Sequence, residues 1–138
     1  MGVRFLGSWW SNRRPKPNKE ILDQVVRRIV DAAQPDQIIL FGSAARQQLR
    51  PDSDFDLLVV KSGVADTREL RQKIQTQLFG IPIPVDVVVA TPEDLRAARH
   101  KDWTLLGRVQ REGKRIYSAN GRRPQPRSRT YFRGQAWR

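Results

Sequence analysis

Three aspartates and one Gly-Ser pair are the residues of this chain whose types and spacing could do chemistry. Asp54 and Asp56 are separated by a single residue in the run DFDLLVV, residues 54–60. If that run is a strand, its side chains alternate between faces and the two carboxylates share one. Like charges held so close repel each other unless a cation or a proton lies between them. Asp86 stands inside a second apolar run, IPVDVVVA, residues 83–90. An acid there is costly to bury without a partner. Side by side, the two strands bring the three carboxylates together. Such hard oxygen ligands suit Mg²⁺, which binds through a few carboxylates, waters and substrate phosphates. Two such ions are a known arrangement for in-line phosphoryl chemistry.

Taken singly, each acid is more often structural. Asp-x-Asp is common by chance, Asp52 and Asp54 form a second such pair, and a lone strand aspartate can be an edge residue. What changes the weighting is Gly42-Ser43, which follows a short apolar run, QIILF, and precedes a helix-compatible stretch. Glycine permits close backbone approach, and a helix N-terminus offers free N–H groups to an anion. The Ser43 hydroxyl can add a hydrogen bond to a phosphate, and Arg46 can supply charge one turn on. Alone, Gly-Ser is an ordinary turn and Ser43 an ordinary N-cap.

The elements that must position these residues alternate in type. Ile21, Leu22, Val25, Val26, Ile29 and Val30 recur at helical spacing, with Asn18 as N-cap and Pro35 as stop. QIILFG reads as a strand, residues 44–49 as a short helix, and Pro51-Asp52-Ser53 as a turn. DFDLLVV is the next strand. Asp66 with Glu69 opens a helix carrying Leu70, Ile74 and Leu78, and Gly80 ends it. IPVDVVVA is a third strand. Thr91-Pro92-Glu93-Asp94 opens another helix, with a Thr cap, Pro first and acids in the first turn. A last helix spans 103–112, with Gly113 as its stop, and residues 115–117 form a short final strand. This order predicts an α/β (α+β) domain, a small mixed β-sheet flanked by helices.

Composition narrows the partners. The chain of 138 residues carries a net charge of +12. That charge sits at the ends: residues 1–19 hold five Lys/Arg and no acid, residues 118–138 hold six Arg and no acid, and residues 20–117 are within one charge of neutral. Both ends are rich in Pro, Gly, Ser and Arg and read as disordered basic tails around one domain over 20–117. Such tails allow non-specific nucleic-acid contact. Trp9, Trp10, Tyr131, Phe132 and Trp137 lie among those charges and read as residues of a solvated tail rather than a stacking platform. With no cysteine, disulfides and thiolate metal sites are excluded. No apolar run approaches the roughly 18 residues of a membrane span, and no signal peptide is evident, so a cytoplasmic location is expected. His100, the only histidine, reads as a surface residue. Trp103 with Leu105 and Leu106 reads as core packing or a partner surface.

Gly42-Ser43, ten residues, then Asp54-Phe55-Asp56 resembles the Gly-Ser/Asp-x-Asp signature of the DNA polymerase beta-like nucleotidyltransferase superfamily. More closely, LFGSAARQQLRPDSDFDLLVV followed by IPVDVVVATPEDL resembles the minimal nucleotidyltransferases (MNT), standalone domains paired with a helical HEPN protein in toxin–antitoxin systems. The resemblance spans roughly residues 20–117. It implies the polymerase beta-like fold and a Gly42-Ser43 turn that holds the triphosphate of ATP. It also implies Asp54 and Asp56 as ligands of two Mg²⁺ ions, and Asp86 as ligand of one and neighbour of the attacking hydroxyl. The activity it implies is transfer of AMP from ATP to a tyrosine hydroxyl of a HEPN toxin. One position departs from the pattern: relatives carry a glycine after the Arg that follows Gly-Ser, where this chain has Gln47.

Three other functions compete. A non-catalytic antitoxin or nucleotide-binding scaffold would act by contact alone, and Gln47 is the feature that favours it. A small-molecule nucleotidyltransferase would need an acceptor pocket, which drug-modifying relatives build from an added helical domain. A nucleic-acid binder would work through the tails.

Overall fold

The computed structural model describes residues 18–42, 45 and 54–119. Among them a four-stranded sheet runs in the order β3-β2-β1-β4. The strands are β1 (Gln37–Phe41), β2 (Phe55–Val60), β3 (Val85–Ala90) and β4 (Lys114–Ser118). The helices are α1 (Lys19–Ala33), α2 (Thr67–Gln77), α3 (Pro92–Ala98) and α4 (Leu105–Glu112). β1 pairs antiparallel with β2 and β4, while β2 and β3 are parallel. The sheet is therefore mixed, as the alternation of elements predicts. A parallel pair cannot be joined by a tight turn, and α2 supplies the crossover.

The helix ends follow their sequence signals. Asn18 accepts a hydrogen bond from the Ile21 N–H at 2.9 Å, and α1 closes at Gln34, which takes a left-handed conformation (φ 47°) just before Pro35. Asp66 accepts from the N–H groups of Arg68 and Glu69. At α3 the capping is reciprocal: Thr91 Oγ1 accepts from the Asp94 N–H at 3.1 Å, and Asp94 Oδ2 accepts from the Thr91 N–H at 3.0 Å. Gly113 caps α4, as expected, but that helix begins at Leu105 after a Thr104 cap. Trp103 thus lies outside it and is 78% exposed, which removes the core-packing reading for that residue. His100 is exposed, as read. The short helix expected over 44–49, both tails and their aromatic residues lie outside the described residues.

Strand alternation sorts the core into two clusters. Phe55, Leu57 and Val59 of β2, with Ile38 and Leu40 of β1 and Val87 of β3, pack under α1 and α2. Leu58 and Val60 of β2, with Ile39 of β1 and Ala90 of β3, pack under Leu95 of α3 and Val109 of α4. β1, β2 and β3 therefore feed both faces, which is why β2 is almost wholly apolar after Asp56. No described helix is long and apolar enough to cross a membrane.

Candidate active site

Asp56 and Asp86 stand directly opposite each other across the parallel β2–β3 pair. Period-two alternation puts Asp56 with Leu58 and Val60, and Asp86 with Val88 and Ala90, on the face packed by α3 and α4. The helices cover the far half of that face. The acids occupy the near end, where the Asp86 side chain is 59% exposed.

Asp54 falls one residue short of β2, which begins at Phe55, and it is exposed. The expectation that Asp54 and Asp56 share a strand face is therefore corrected: the ladder fixes Asp56, and Asp54 immediately precedes β2. Among the described residues, no three acids or histidines are gathered closely enough to form a ready cation site.

Gly42 shapes the floor. It follows β1, whose last residue Phe41 pairs with Asp56, and it has φ +78°. A Cβ built on Gly42 would run into the Asp56 carboxylate. Only glycine combines this backbone conformation with so close an approach. The close approach of Gly42 to Asp56 sets the expected phosphate turn beside the expected metal ligand. Ser43 and Arg46, the other two expected nucleotide-binding residues, and Gln47 lie outside the described residues.

Beside Gly42 opens a cleft of about 430 Å³, lined by Phe41, Gly42, Leu105, Arg108, Val109 and Glu112. It runs between the end of β1 and α4, with apolar walls and a charged rim. Behind Asp86, Arg71 of α2 donates from Nε to the Val87 carbonyl at 2.7 Å, and its Nη2 lies 3.7 Å from Asp86 Oδ1. Neither the cleft nor Arg71 belongs to a motif of the sequence. No sequence signal places Arg71, since its contacts depend on how α2 lies along β3.

The donor set fits a hard cation in part. Two opposed carboxylates, with a third just before β2, offer oxygen ligands alone, and the exposure of Asp86 lets waters and phosphate oxygens complete the shell, as Mg²⁺ prefers. The glycine cradle meets the same requirement, because it clears space at the Asp56 carboxylate.

The fold is thus a mixed sheet with two opposed acids at one end, beside a glycine turn. The chain belongs to the polymerase beta nucleotidyltransferase family, whose model matches residues 23–122. Among solved structures, it is similar to a candidate nucleotidyltransferase from Sulfolobus solfataricus, with 19% identity, a TM-score of 0.54, and coverage of 74% of this chain and 81% of that one. That likeness shows the fold. Weaker similarities include a toxin–antitoxin structure with AMP-PNP, with 24% identity, a TM-score of 0.47, and coverage of 83% of this chain and 81% of that one. A mutant of the MntA-HpeT toxin–antitoxin has 23% identity, a TM-score of 0.44, and coverage of 83% and 80% respectively. No curated protein matches the sequence.

Proposed function

We propose that this nucleotidyltransferase domain transfers AMP from ATP to a hydroxyl of a partner protein, and that it serves as the antitoxin of a HEPN-type helical toxin. The observation that carries the chemical part is the opposed pair Asp56 and Asp86 with Gly42 pressed against the Asp56 carboxylate. The choice of a partner tyrosine as acceptor rests on the sequence resemblance to minimal nucleotidyltransferases.

Asp54, Asp56 and Asp86 would hold Mg²⁺, which when bound neutralises phosphate charge and polarises the α-phosphate. The remaining work belongs to the chain's own residues. Gly42 keeps the backbone close to the phosphates, and Ser43 and Arg46 are the residues offered to the triphosphate. Asp86 receives the proton of the acceptor hydroxyl. The hydroxyl oxygen forms a bond to the α-phosphorus, the bond to the bridging oxygen breaks, and pyrophosphate leaves. Catalysis of this kind is mostly positioning and charge stabilisation, so a poorly held acceptor is slow.

The open end of the sheet supports an acceptor delivered from outside. Helices α3 and α4 cover the apolar half of that face, with Asp56 partly buried and Asp86 exposed beyond it. A partner protein can bring its hydroxyl there, beside the cleft at Gly42.

Co-expression with a helical neighbour-encoded protein, followed by mass spectrometry, tests the reading. The expected result is an added AMP on a hydroxyl side chain of the partner, absent with Asp86→Asn. Calorimetry should show ATP binding with Mg²⁺ and its loss in EDTA, because unscreened acids repel a triphosphate. A partner that is neutralised and tightly bound yet unmodified would replace transfer by contact alone.

A further inference from the structure

We infer that Arg71 is a positioning residue for Asp86: it fixes that carboxylate opposite Asp56 and stands in as its counter-charge until a cation arrives. The inference rests on the reading of Asp86 as a cation ligand.

Among the described residues β3 is an edge strand, with β2 on one side only. Its outward carbonyls have no strand partner among those residues. Two side chains of α2 serve them instead. Arg71 Nε donates to the Val87 carbonyl at 2.7 Å, and Gln75 Nε2 donates to the Val85 carbonyl at 3.2 Å. The donors are four apart on the helix, hence on one face, and the acceptors are two apart on the strand, hence on one edge. Asp86 lies between the two anchored residues.

Arg71 does more than Gln75. Its guanidinium is a rigid fork, so the bond from Nε to the backbone fixes where the Nη groups point. One of them, Nη2, lies 3.7 Å from Asp86 Oδ1. With both side chains half exposed, the charge pair contributes little to stability. Its value is geometric: Arg71 is tethered to the residue following Asp86, so strand register and carboxylate orientation are set together. The positive charge also offsets one of two carboxylates that the β2–β3 register forces to face each other.

A tethered cation beside a cation site has opposite effects on binding and on turnover. Removing it should tighten the bare ion while disordering the ligand. The experiment uses the full chain and Mn²⁺ alone as probe, measured by electron paramagnetic resonance without nucleotide or partner. Arg71→Gln is expected to tighten Mn²⁺ binding by about two- to fivefold, the scale of an exposed charge pair. In an Asp86→Asn background the same substitution should change nothing, because the two effects act through one contact. Transfer to the partner should meanwhile fall in kcat by about tenfold or more, the usual cost of losing a residue that orients a ligand, with KM for ATP nearly unchanged. Arg71→Lys keeps the charge but not the fork, so it should restore the Mn²⁺ affinity of the unsubstituted protein without restoring kcat. Gln75→Leu removes only the neighbouring edge bond and should leave both readouts within twofold.

Loss of both Mn²⁺ affinity and kcat in Arg71→Gln, or an equal loss in Gln75→Leu, would mark Arg71 as an edge fastener and overturn the inference. Mn²⁺ binding that depends on Asp86 yet ignores Arg71 would overturn it alone. Mn²⁺ binding indifferent to Asp86→Asn would instead overturn the cation reading and this inference with it.

Discussion

The two faces of the sheet are built from the same strands and do opposite things. One face is closed along its length by α1 and α2, and its side chains Leu22, Val25, Ile29, Phe55, Leu57 and Val59 are fully buried. The other is closed only in part, by α3 and α4, and ends in Asp56 and Asp86. A sheet needs one well-packed face to persist. Once α1 and α2 provide it, the second face can carry like charges at its open end. Side-chain parity within single strands thus separates the packed core from the candidate site: Phe55 and Leu57 belong to the closed face, and Asp56 between them to the other.

Substitutions should respect this separation. The largest effect is expected for Asp56→Asn or Asp86→Asn, which should lower transfer by about a thousandfold or more, as loss of a charge-stabilising group does. Each should leave thermal stability of the metal-free protein equal or raised, since like-charge repulsion is relieved. Rates from labelled ATP and melting curves read the two quantities on the same samples. Full activity in both variants would end the assignment of these acids.

Next is the closed face. Leu57→Ala or Leu22→Ala should cost about 2–5 kcal/mol by denaturant unfolding, because each empties a fully buried site. Per folded molecule, transfer should change far less than for the acids. A stable Leu57→Ala protein with abolished transfer would show that the faces are not independent.

Gly42→Ala lies on the border between the faces and should affect both. The positive φ and the contact with Asp56 predict a loss of about 1–2 kcal/mol in stability. Displacement of the Asp56 carboxylate should also reduce transfer by about 10–100-fold, as misplacing a ligand does. An unchanged rate would show that Asp56 has room to shift.

Thr91→Ala removes the reciprocal cap of α3 and should cost about 1 kcal/mol without altering transfer to the partner. The smallest effect on stability is expected for Trp103→Ala. This side chain is 78% exposed, so melting should move by less than about 0.5 kcal/mol in equivalent terms. A clear loss of stability would place Trp103 in a packing role that its exposure does not show.

The sequence alone determined the elements and the acids. Helical periodicity and the caps at Asn18, Asp66 and Thr91 fix local backbone choices, and local choices are written in local residues. The Gly-Ser/Asp-x-Asp spacing likewise marks the family, because that signature lies within a short stretch of chain. Tertiary structure decided what depends on pairing between distant segments. Period-two alternation says that Asp56 and Asp86 each share a face with certain neighbours, but not that β3 lies beside β2 in the register opposing them. It cannot place Asp54 outside the ladder, because a strand's first residue is set by its partner's end. Nor can it show that Gly42 abuts Asp56 or that Arg71 reaches the open edge of β3. Both contacts join residues at least 14 positions apart in the chain, and their existence follows from strand order and helix placement, which no local pattern encodes.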